Sequence, residues 1–446
     1  MSHFKTEFEE FCAAHGTPER LELMLCDLNA ILRGKWLPAD SIEKFETGEV
    51  RLPMSTYAPN ILGYEVEATG LGIAVGDPDG RLVPVPGTMK PVPWAENHVA
   101  QVLVEMTDLD GQISAVSPRQ VLKNVLAGFT AQGLRPVVST ELEFYLLEPR
   151  EAPDAAPVPP WGSPDAQNYD LEVLARQENV LNEILAAAEA QDLPTDTLIA
   201  EYGAGQFEVN FHHTDDVLAA AETGILFRRL VRGVAAKHGL EATFMAKPYA
   251  EMPGNGLHVH ASVLDSEGNN IFSTEDGVGE TLGNAVAGVL ITMRDLQAIF
   301  APHMNSYRRF QPNSFAPCAP DWGLDNRAAA IRLPETRGPG ARLEHRISGA
   351  DANPYLVLAA VLGGMIYGLT EAPPPPLPLD DPASTPAAPL GADWATAVER
   401  FAASDIAARI FGTEYRDIYA AVRRDEIAQL TTVISPVEYR YYLSRL

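Results

Sequence analysis

The chain has 446 residues, 46% of them apolar, and a formal net charge of −27 at pH 7. This apolar content is enough for one large domain or two ordinary ones, each with its own core. So acidic a surface repels phosphate backbones and anionic lipids, and we therefore expect neither nucleic acid nor membrane as a partner.

Cysteine usage and the N-terminus favour the cytoplasm. The three cysteines, Cys12, Cys26 and Cys318, have no CxxC spacing, which argues against a disulfide framework or a thiolate metal site. The opening MSHFKTEFEEF carries acids where a signal peptide has an apolar run. The apolar segment PYLVLAAVLGGMIYGL is shorter than the roughly 20 residues of a membrane span, so it predicts a buried helix.

Residues 1–115 predict a small, mostly β unit with one or two helices. Residues 4–15 have an amphipathic helical pattern. The run LELMLCDLNAILRGKWLPA predicts a hairpin that turns between Asp27 and Gly34. Short strand-like runs follow, in RLVPVPGTM and AQVLVEMTDLDG. We place a domain boundary at residues 115/116.

Residues 116–446 predict a second domain, which begins with a helix capped by Ser117 and Pro118. The strand PVVSTELEFYLLEP and a proline-rich loop at 152–164 come next. Later strands are predicted at FEVNFHHT, ATFMAKPY, GLHVHASVLD and RLEHRISG, with helices near 169–192, 215–238 and 279–301. Strands that alternate with helices indicate an α/β or α+β domain. A proline-rich surface loop at 371–389 precedes closing helices.

Four of these strands carry polar groups at positions i and i+2, which share one face of a strand. The pairs are Glu141 with Glu143, Glu208 with Asn210, His258 with His260, and Glu344 with Arg346. A single such strand is more often half-exposed to water. A solvent face, however, usually mixes Lys, Thr, Ser and Gln, whereas these faces hold Glu and His almost exclusively. Together they indicate a binding site.

Crowded carboxylates repel one another, and a divalent cation removes that conflict. Carboxylate oxygens with an occasional imidazole suit Mg²⁺ or Mn²⁺, and Mg²⁺ favours sites completed by substrate phosphates. Glu201 joins the set, because the glycine-containing turn YGAGQ lets it converge with Glu208.

Arginines form a second cluster, between residues 308 and 346. They include Arg308, Arg309, Arg327, Arg332, Arg342 and Arg346. Each alone is as well explained by a salt bridge to the acidic surface. Together they suggest an anion site, because guanidinium groups bind carboxylate and phosphate bidentately. Phosphoryl transfer requires acidic side chains that bind metal ions next to arginines that bind anionic groups. No P-loop or Rossmann signature is present.

The same segments resemble the glutamine synthetase superfamily, and most closely its bacterial γ-glutamylpolyamine (γ-glutamylputrescine) synthetases. The likeness rests on ELEFYLLEP, EYGAGQFEVNF, FMAKPYAEMPGNGLHVHASV, NSYRRFQP, NRAAAIRLP and RLEHRISGADANPYLVLAA. The resemblance implies an α+β fold, with an N-terminal β-grasp domain and a catalytic domain built on a curved antiparallel sheet flanked by helices. It also implies stacked rings, usually dodecamers, with active sites between adjacent subunits.

The resemblance further implies a role for individual residues. Two or three Mg²⁺ or Mn²⁺ ions would be held by Glu143, Glu201 and Glu208 on the glutamate side and by Glu141, His258 and Glu344 on the ATP side. Glutamate would be held by Gly254, Arg309 and Arg346, and the nucleotide by His260, Ser262, Arg332 and Arg342. Arg327 and Arg332 would contact the transferred phosphoryl group, and Asp27 would enter the amine site of a neighbouring subunit.

The implied reaction activates the γ-carboxylate of glutamate with ATP and transfers the γ-glutamyl group to an amine. Glutamine synthetases often carry a glutamate, which helps to bind ammonium, where this chain has Phe315 in RFQPNSFAP. An aromatic face accommodates an organic cation, so we expect a larger primary amine, such as a polyamine or small alkylamine. The alternatives are that Phe315 only packs, that the chain is an authentic glutamine synthetase, or that it is a non-catalytic relative.

Overall fold

The computed structural model describes residues 3–275, 277–311, 314–371 and 374–446. Residues 312–313 of the RFQPNSFAP segment and residues 372–373 of the proline-rich loop lie outside the described residues. Over the described ranges the strands form two sheets, of which the first ends at Met106 and the second begins at Arg135. The predicted boundary at 115/116 falls between them and stays a prediction.

The N-terminal sheet is mixed and has the order β2-β1-β6-β4-β3, with β5 beside β6. Its strands are β1 (Arg20–Cys26), β2 (Leu32–Pro38), β3 (Arg51–Pro53), β4 (Asp79–Pro84), β5 (Lys90–Pro91) and β6 (Val99–Met106). The predicted hairpin is present, because β1 and β2 pair antiparallel. Strand β1 also runs parallel to β6, which is buried along its whole length and forms the centre of the sheet.

Helix α1 (His3–His15) supplies the predicted amphipathic segment, and α2 (Glu43–Thr47) follows β2. Phe4 and Phe11 lie two turns apart on one face of α1 and are both buried. The Phe4 ring meets Phe45 of α2 edge-on, with 4.9 Å between the ring centroids. This contact packs α1 against α2.

The second sheet has the order β12-β13-β14-β11-β7-β9-β8, with β10 beside β7. Its strands are β7 (Arg135–Leu147), β8 (Thr195–Ala200), β9 (Gln206–Phe211), β10 (Glu241–Thr243), β11 (Leu257–Leu264), β12 (Trp322–Leu324), β13 (Ile331–Glu335) and β14 (Arg342–His345). All pairings in it are antiparallel except β12 with β13. The α+β class is confirmed.

Within the described ranges, eleven helices follow the N-terminal sheet. They are α3 (Pro118–Thr130), α4 (Leu171–Arg176), α5 (Glu178–Ala190), α6 (Val217–Lys237), α7 (Glu280–Met293), α8 (Gln297–Phe300), α9 (Pro354–Glu371), α10 (Trp394–Ala403), α11 (Asp405–Phe411), α12 (Thr413–Leu430) and α13 (Pro436–Tyr442). Of these, α3–α7 and α9 contact the second sheet directly. Ser117 caps α3 as predicted, accepting a hydrogen bond from the Gln120 amide at 3.3 Å. Helices α7 and α9 can approach closely because Gly288 has no side chain. A Cβ at that position would lie 2.2 Å from the Gly364 carbonyl oxygen.

Helix α9 is the predicted buried helix. Among the described residues it is the one helix long and apolar enough to cross a membrane, and 72% of its apolar window is buried inside the protein. Its mainly buried side chains pack against α3 and α7. This burial is typical of a core helix.

Three predicted elements differ from the structure. The helix expected near 169–192 is divided into α4 and α5 at Gln177, whose backbone leaves the helical region. The helix expected near 279–301 is divided into α7 and α8. Of the strand expected at ATFMAKPY, only Ala242 and Thr243 pair with β7, as part of β10. Beyond it, Pro248 has no amide hydrogen for a ladder, and Asn255 donates to the carbonyls of Thr243 and Met245.

The C-terminal helix α12 is joined to the N-terminal unit through a buried polar junction. Arg423 and Glu426 of α12 are fully buried and lie 2.6 Å apart. Arg423 also donates to the side chain of Asn29, and Glu426 accepts a hydrogen bond from the Ile61 amide at 2.7 Å. We call Arg423, Glu426, Asn29 and Ile61 the junction cluster.

Candidate active site

Strand register brings the predicted acids and imidazoles onto one face of the second sheet. On the central strand β7, Glu141 is paired with His258 of β11, and Glu143 is paired with Glu208 of β9. One strand further out, His260 is paired with Glu344 of β14. Side chains directly opposite each other across a pair lie on the same face. Segments spread over two hundred residues therefore converge.

Glu141 lies at the centre of this face. Its two carboxylate oxygens lie 3.0 Å from His258 Nδ1 and 2.9 Å from His260 Nε2. Within the described part of the chain, two groups have candidate ligand atoms within 4.8 Å of one another. These groups are Glu141 with Glu208 and His258, and Glu141 with His260 and Glu344. These two groups are not the same as the two sets of metal ligands predicted from the sequence. The predicted sets stay predictions.

Glu143 and Glu201 lie beside this centre. Glu143 accepts a hydrogen bond from the Gly256 amide at 2.7 Å and a longer one from Gln206 Nε2 at 3.4 Å. Glu201 begins a tight turn in which its amide donates to the Gln206 carbonyl at 3.0 Å. Gly205 adopts a positive φ of 79° in that turn, which is a conformation that glycine adopts readily.

Crowding of the carboxylates changes their acidity. Burial, reinforced by the nearby Glu143, raises the pKa of Glu201 to about 7. Burial and the neighbouring acids, Glu141 foremost, raise the pKa of Glu208 well above its ordinary value. Glu141 is different, because its hydrogen bonds to His258 and His260 outweigh burial and hold its pKa well below the usual range. Glu201 and Glu208 resist ionisation in this crowded site, and a divalent cation would stabilise their ionised forms.

Arginines form the boundary of the site on the side opposite Glu208. Glu344 is fully buried and accepts from Arg332 Nη1 at 2.9 Å and from Arg346. Arg332 also donates twice to one oxygen of Asp325, at 2.9 and 2.6 Å. Arg309 is buried and donates to the Ile347 carbonyl at 2.8 Å.

Two buried guanidinium groups have unused donors. The Nε atoms of Arg309 and Arg346 have no hydrogen-bond partner among the described residues. Both side chains also line the cavity between these arginines and the acids, and guanidinium groups bind carboxylate and phosphate. The arginine side of the site is therefore suited to a carboxylate or a phosphate.

A cavity of about 840 Å³ connects the acids and the arginines. Of the predicted site residues, its lining contains Glu141, Glu143, Glu201, Glu208, Gly254, His258, Arg309, Phe315, Arg327, Arg332 and Arg346. An adjoining recess of about 690 Å³ contains Glu141, His260, Ser262, Arg332 and Arg342. Glu141 and Arg332 line both spaces. The residues predicted to contact nucleotide and those predicted to hold glutamate thus lie on two sides of a shared centre.

Asp27 lies elsewhere. Its carboxylate is fully buried in its own hairpin, where it accepts from the amides of Asn29 at 2.9 Å and Ile31 at 2.8 Å and from Arg33 Nε at 2.7 Å. Burial raises the pKa of Asp27 to about 6, against the opposing effect of Arg33. Asp27 lines neither of the two spaces. Its assignment to a neighbour's amine site stays a prediction, and it requires the carboxylate to turn out of the hairpin.

Several residues that line the cavity are not among those predicted from the sequence. Tyr202, Asn168 and Tyr169 are the clearest, and Asp325 holds Arg332 from outside. Tyr202 directly follows Glu201 in the EYGAGQFEVNF segment, so its place in the sequence indicates that it lies near the site. Asn168 and Tyr169 carry positive φ angles of 43° and 68°, which side-chain periodicity does not reveal.

Comparisons with known proteins show what the chain as a whole resembles. Residues 115–442 match the family described as glutamine synthetase, catalytic domain. The chain is 37% identical over 454 residues to the γ-glutamylputrescine synthetase of Escherichia coli K12, covering 99% of this chain and 95% of the relative. It is 32% identical over 443 residues to the glutamate–isopropylamine ligase of a Pseudomonas species, covering 95% of each.

A solved structure also resembles the whole chain. The structure titled "GmaS/ADP complex-Conformation 1" superposes with a TM-score of 0.85 at 26% identity. The match covers 98% of this chain and 99% of that one. The likeness therefore extends over both sheets and the helices that pack on them.

Proposed function

The chain belongs to the glutamine synthetase family, and we propose that it is an ATP-dependent ligase that joins the γ-carboxylate of glutamate to a primary amine. The observation that carries the proposal is the single cavity in which acids and an imidazole face buried arginines. Relatives along the full chain are named for putrescine and isopropylamine, which supports an organic amine as the acceptor.

We propose that the metal-holding side chains are those predicted from the sequence: Glu141, Glu143, Glu201, Glu208, His258 and Glu344. The fit to a hard cation is supported by the raised pKa values of Glu201 and Glu208, which reflect burial first and then the nearby carboxylates. Two or three Mg²⁺ or Mn²⁺ ions bound there would neutralise charge on the ATP phosphates.

The glutamate substrate would lie against Gly254, Arg309 and Arg346. A Cβ on Gly254 would lie 2.5 Å from the Ala246 carbonyl oxygen and 2.8 Å from Arg309 Cγ, so a side chain there would displace that arginine. The guanidinium groups of Arg309 and Arg346 line the cavity and suit the substrate carboxylates. This part of the chain would orient glutamate so that its γ-carboxylate points toward the acids.

The nucleotide would occupy the adjoining recess, with its phosphates toward the shared centre. His260, Ser262 and Arg342 line that recess, and Arg332 reaches both spaces. Arg332 is held between Glu344 and Asp325, which fixes its guanidinium plane where the γ-phosphoryl group would pass. Arg327 lines the main cavity and would assist it. Positively charged groups held in advance stabilise the charge that develops during transfer.

The reaction would proceed in two steps. An oxygen of the γ-carboxylate attacks the γ-phosphorus of ATP, ADP leaves, and γ-glutamyl phosphate forms. The amine nitrogen then attacks the γ-carbonyl carbon, phosphate leaves, and the nitrogen gives up a proton to form the amide. The cavity would also limit access of water to the acyl phosphate.

Membership of this family also supports a proposal about oligomeric state and cellular compartment. We propose a cytoplasmic homo-oligomer of stacked rings, with active sites between adjacent subunits. Exposed apolar side chains lie in the N-terminal unit, including Ile61, Leu62 and Tyr64, and in the C-terminal segment, including Tyr442 and Leu443. Large exposed apolar groups are typical of surfaces that other subunits cover.

Glutamate-dependent phosphate release from ATP tests the ligase proposal. The acceptors are ammonium, putrescine, methylamine and ethanolamine, at saturating Mg²⁺ or Mn²⁺, and amide products are identified by mass spectrometry. We expect an organic amine to be preferred, and Glu143→Ala to abolish release. Preference for ammonium would identify an authentic glutamine synthetase. Wild-type protein without activity on any acceptor, or Glu143→Ala with unchanged activity, would contradict the proposal.

A further inference from the structure

Two aromatic rings meet within the main cavity. The rings of Tyr202 and Phe315 have centroids 5.0 Å apart and planes inclined by 32°. Both residues line the cavity together with Glu143 and Glu201. Tyr202 is 41% exposed and Phe315 is 67% exposed, so the pair offers free ring surface.

The backbone around Tyr202 is firmly held. Its carbonyl oxygen accepts from the Gln167 amide at 3.0 Å, and the next residue, Gly203, accepts from the Gln206 amide at 2.9 Å. A Cβ on Gly203 would lie 2.1 Å from the Tyr145 hydroxyl, so the chain here is tightly packed. Tyr202 therefore projects from a rigid support, beside the carboxylate of Glu201.

Phe315 is held in a conformation that phenylalanine rarely adopts. Its φ angle is +58°, in the left-handed region where a side chain is strained. The preceding Ser314 is buried and donates to the Arg309 carbonyl, which fixes the loop next to a cavity arginine. Strain at a largely exposed aromatic residue is not offset by core packing, and strained residues cluster at ligand sites.

Aromatic ring faces are complementary to an amine that has both a cationic nitrogen and a hydrocarbon chain, because they offer apolar surface and attract a cation. Ammonium has no hydrocarbon to place on the rings. We propose that Tyr202 and Phe315 form the surface on which the hydrocarbon chain of the amine lies, and that this pair makes the enzyme select longer n-alkylamines over shorter ones. This inference rests on the proposed ligase function and specifies its acceptor class.

A homologous series of amines tests the inference. The measurement is kcat and KM for ammonium and for methylamine through n-butylamine, with wild type, Tyr202→Ala, Phe315→Ala and the double variant. In wild type, kcat/KM is expected to rise about two- to fourfold per methylene group, as for partly to fully buried CH₂. Each single variant should flatten this dependence, mainly through KM. The double variant should add little, because the rings contact each other.

Control variants separate recognition from folding. Tyr202→Phe and Phe315→Leu preserve apolar surface and should preserve most of the chain-length dependence. Trp161→Ala removes a ring that is 91% exposed and lies outside the cavity lining, and it should change nothing. The KM for glutamate should stay constant throughout, and thermal unfolding should confirm that each variant is folded.

The outcomes are distinguishable. If wild type uses alkylamines but shows no dependence on chain length, or if the alanine variants lose ammonium and n-butylamine activity equally, the ring pair is only structural. The ligase function would then stand without this inference. If wild type transfers glutamate to no amine at all, the proposed function fails, and the acceptor surface fails with it.

Discussion

Two buried groups of charged side chains in this molecule are built in opposite ways. In the junction cluster, a carboxylate and a guanidinium face each other at 2.6 Å with both side chains fully buried. Burial raises the pKa values of Glu426, Glu201 and Glu208 alike. Arg423 opposes the rise at Glu426, whereas in the cavity neighbouring carboxylates add to it. Opposite charges brought together hold a structure in place, whereas like charges brought together prepare a site for a missing partner. The predictions below test that difference.

The largest effect is expected at the junction. Glu426→Gln leaves Arg423 buried without its counter-charge, and it should lower the free energy of unfolding by about 3–5 kcal/mol. Chemical or thermal unfolding measures this loss. The double variant Arg423→Met, Glu426→Leu removes both charges and should recover much of the stability. A double variant as unstable as the single one would show that the ion pair is not the source of the effect.

In the cavity, removing a charge should have the reverse effect on stability. Glu208→Gln should lower ligase activity by on the order of 10²- to 10³-fold, because a proposed metal ligand is lost. The metal-free protein should unfold at the same temperature or a higher one, since repulsion among the acids is relieved. Glu189→Gln, at an exposed position on α5, is the control and should change neither quantity. A strongly destabilised Glu208→Gln would contradict the comparison.

The effect of metal on stability should depend on pH. The pKa of Glu201 in the folded protein is raised to about 7, so its contribution to metal-free stability is present below about pH 4.5 and is lost as pH rises through 7. A cation must displace the same proton, so stabilisation by Mg²⁺ or Mn²⁺ should be larger at pH 8 than at pH 6.

Thermal unfolding with and without metal measures that dependence. At a metal concentration about a hundred times Kd, the stabilisation should approach 2–3 kcal/mol. In Glu201→Gln, whose side chain does not titrate, the difference between pH 6 and pH 8 should shrink. An equal metal effect at both pH values in wild type would argue against a shared site for proton and cation.

The smallest effect concerns the strained loop beside the cavity. Phe315→Gly should be more stable than Phe315→Ala by about 0.5–1 kcal/mol, because only glycine adopts φ of +58° without strain. Ala316, one residue later, does not have a positive φ angle. Ala316→Gly should therefore lower stability, because it only increases the conformational freedom of the unfolded chain. Equal stability of the two Phe315 variants would show that the loop relaxes when the ring is removed.

The amino-acid sequence by itself determined the polar faces of the strands. Alternation along β7, β9 and β11 placed Glu141 with Glu143 and His258 with His260, since a strand repeats every two residues whatever its partners are. Motif order then indicated the family, and with it the α+β fold. Helix α3 and the first hairpin were also predictable, because caps and turns depend on residues close together in the chain.

Tertiary structure alone decided which groups meet. The contact between Tyr202 and Phe315 joins residues more than a hundred positions apart, and no local pattern specifies it. The burial of Asp27 in its own hairpin and the central place of Glu141 between two imidazoles are decided in the same way. Periodicity fixes the direction of a side chain, but only strand register and loop packing fix its neighbours, and those neighbours set its charge and its chemistry.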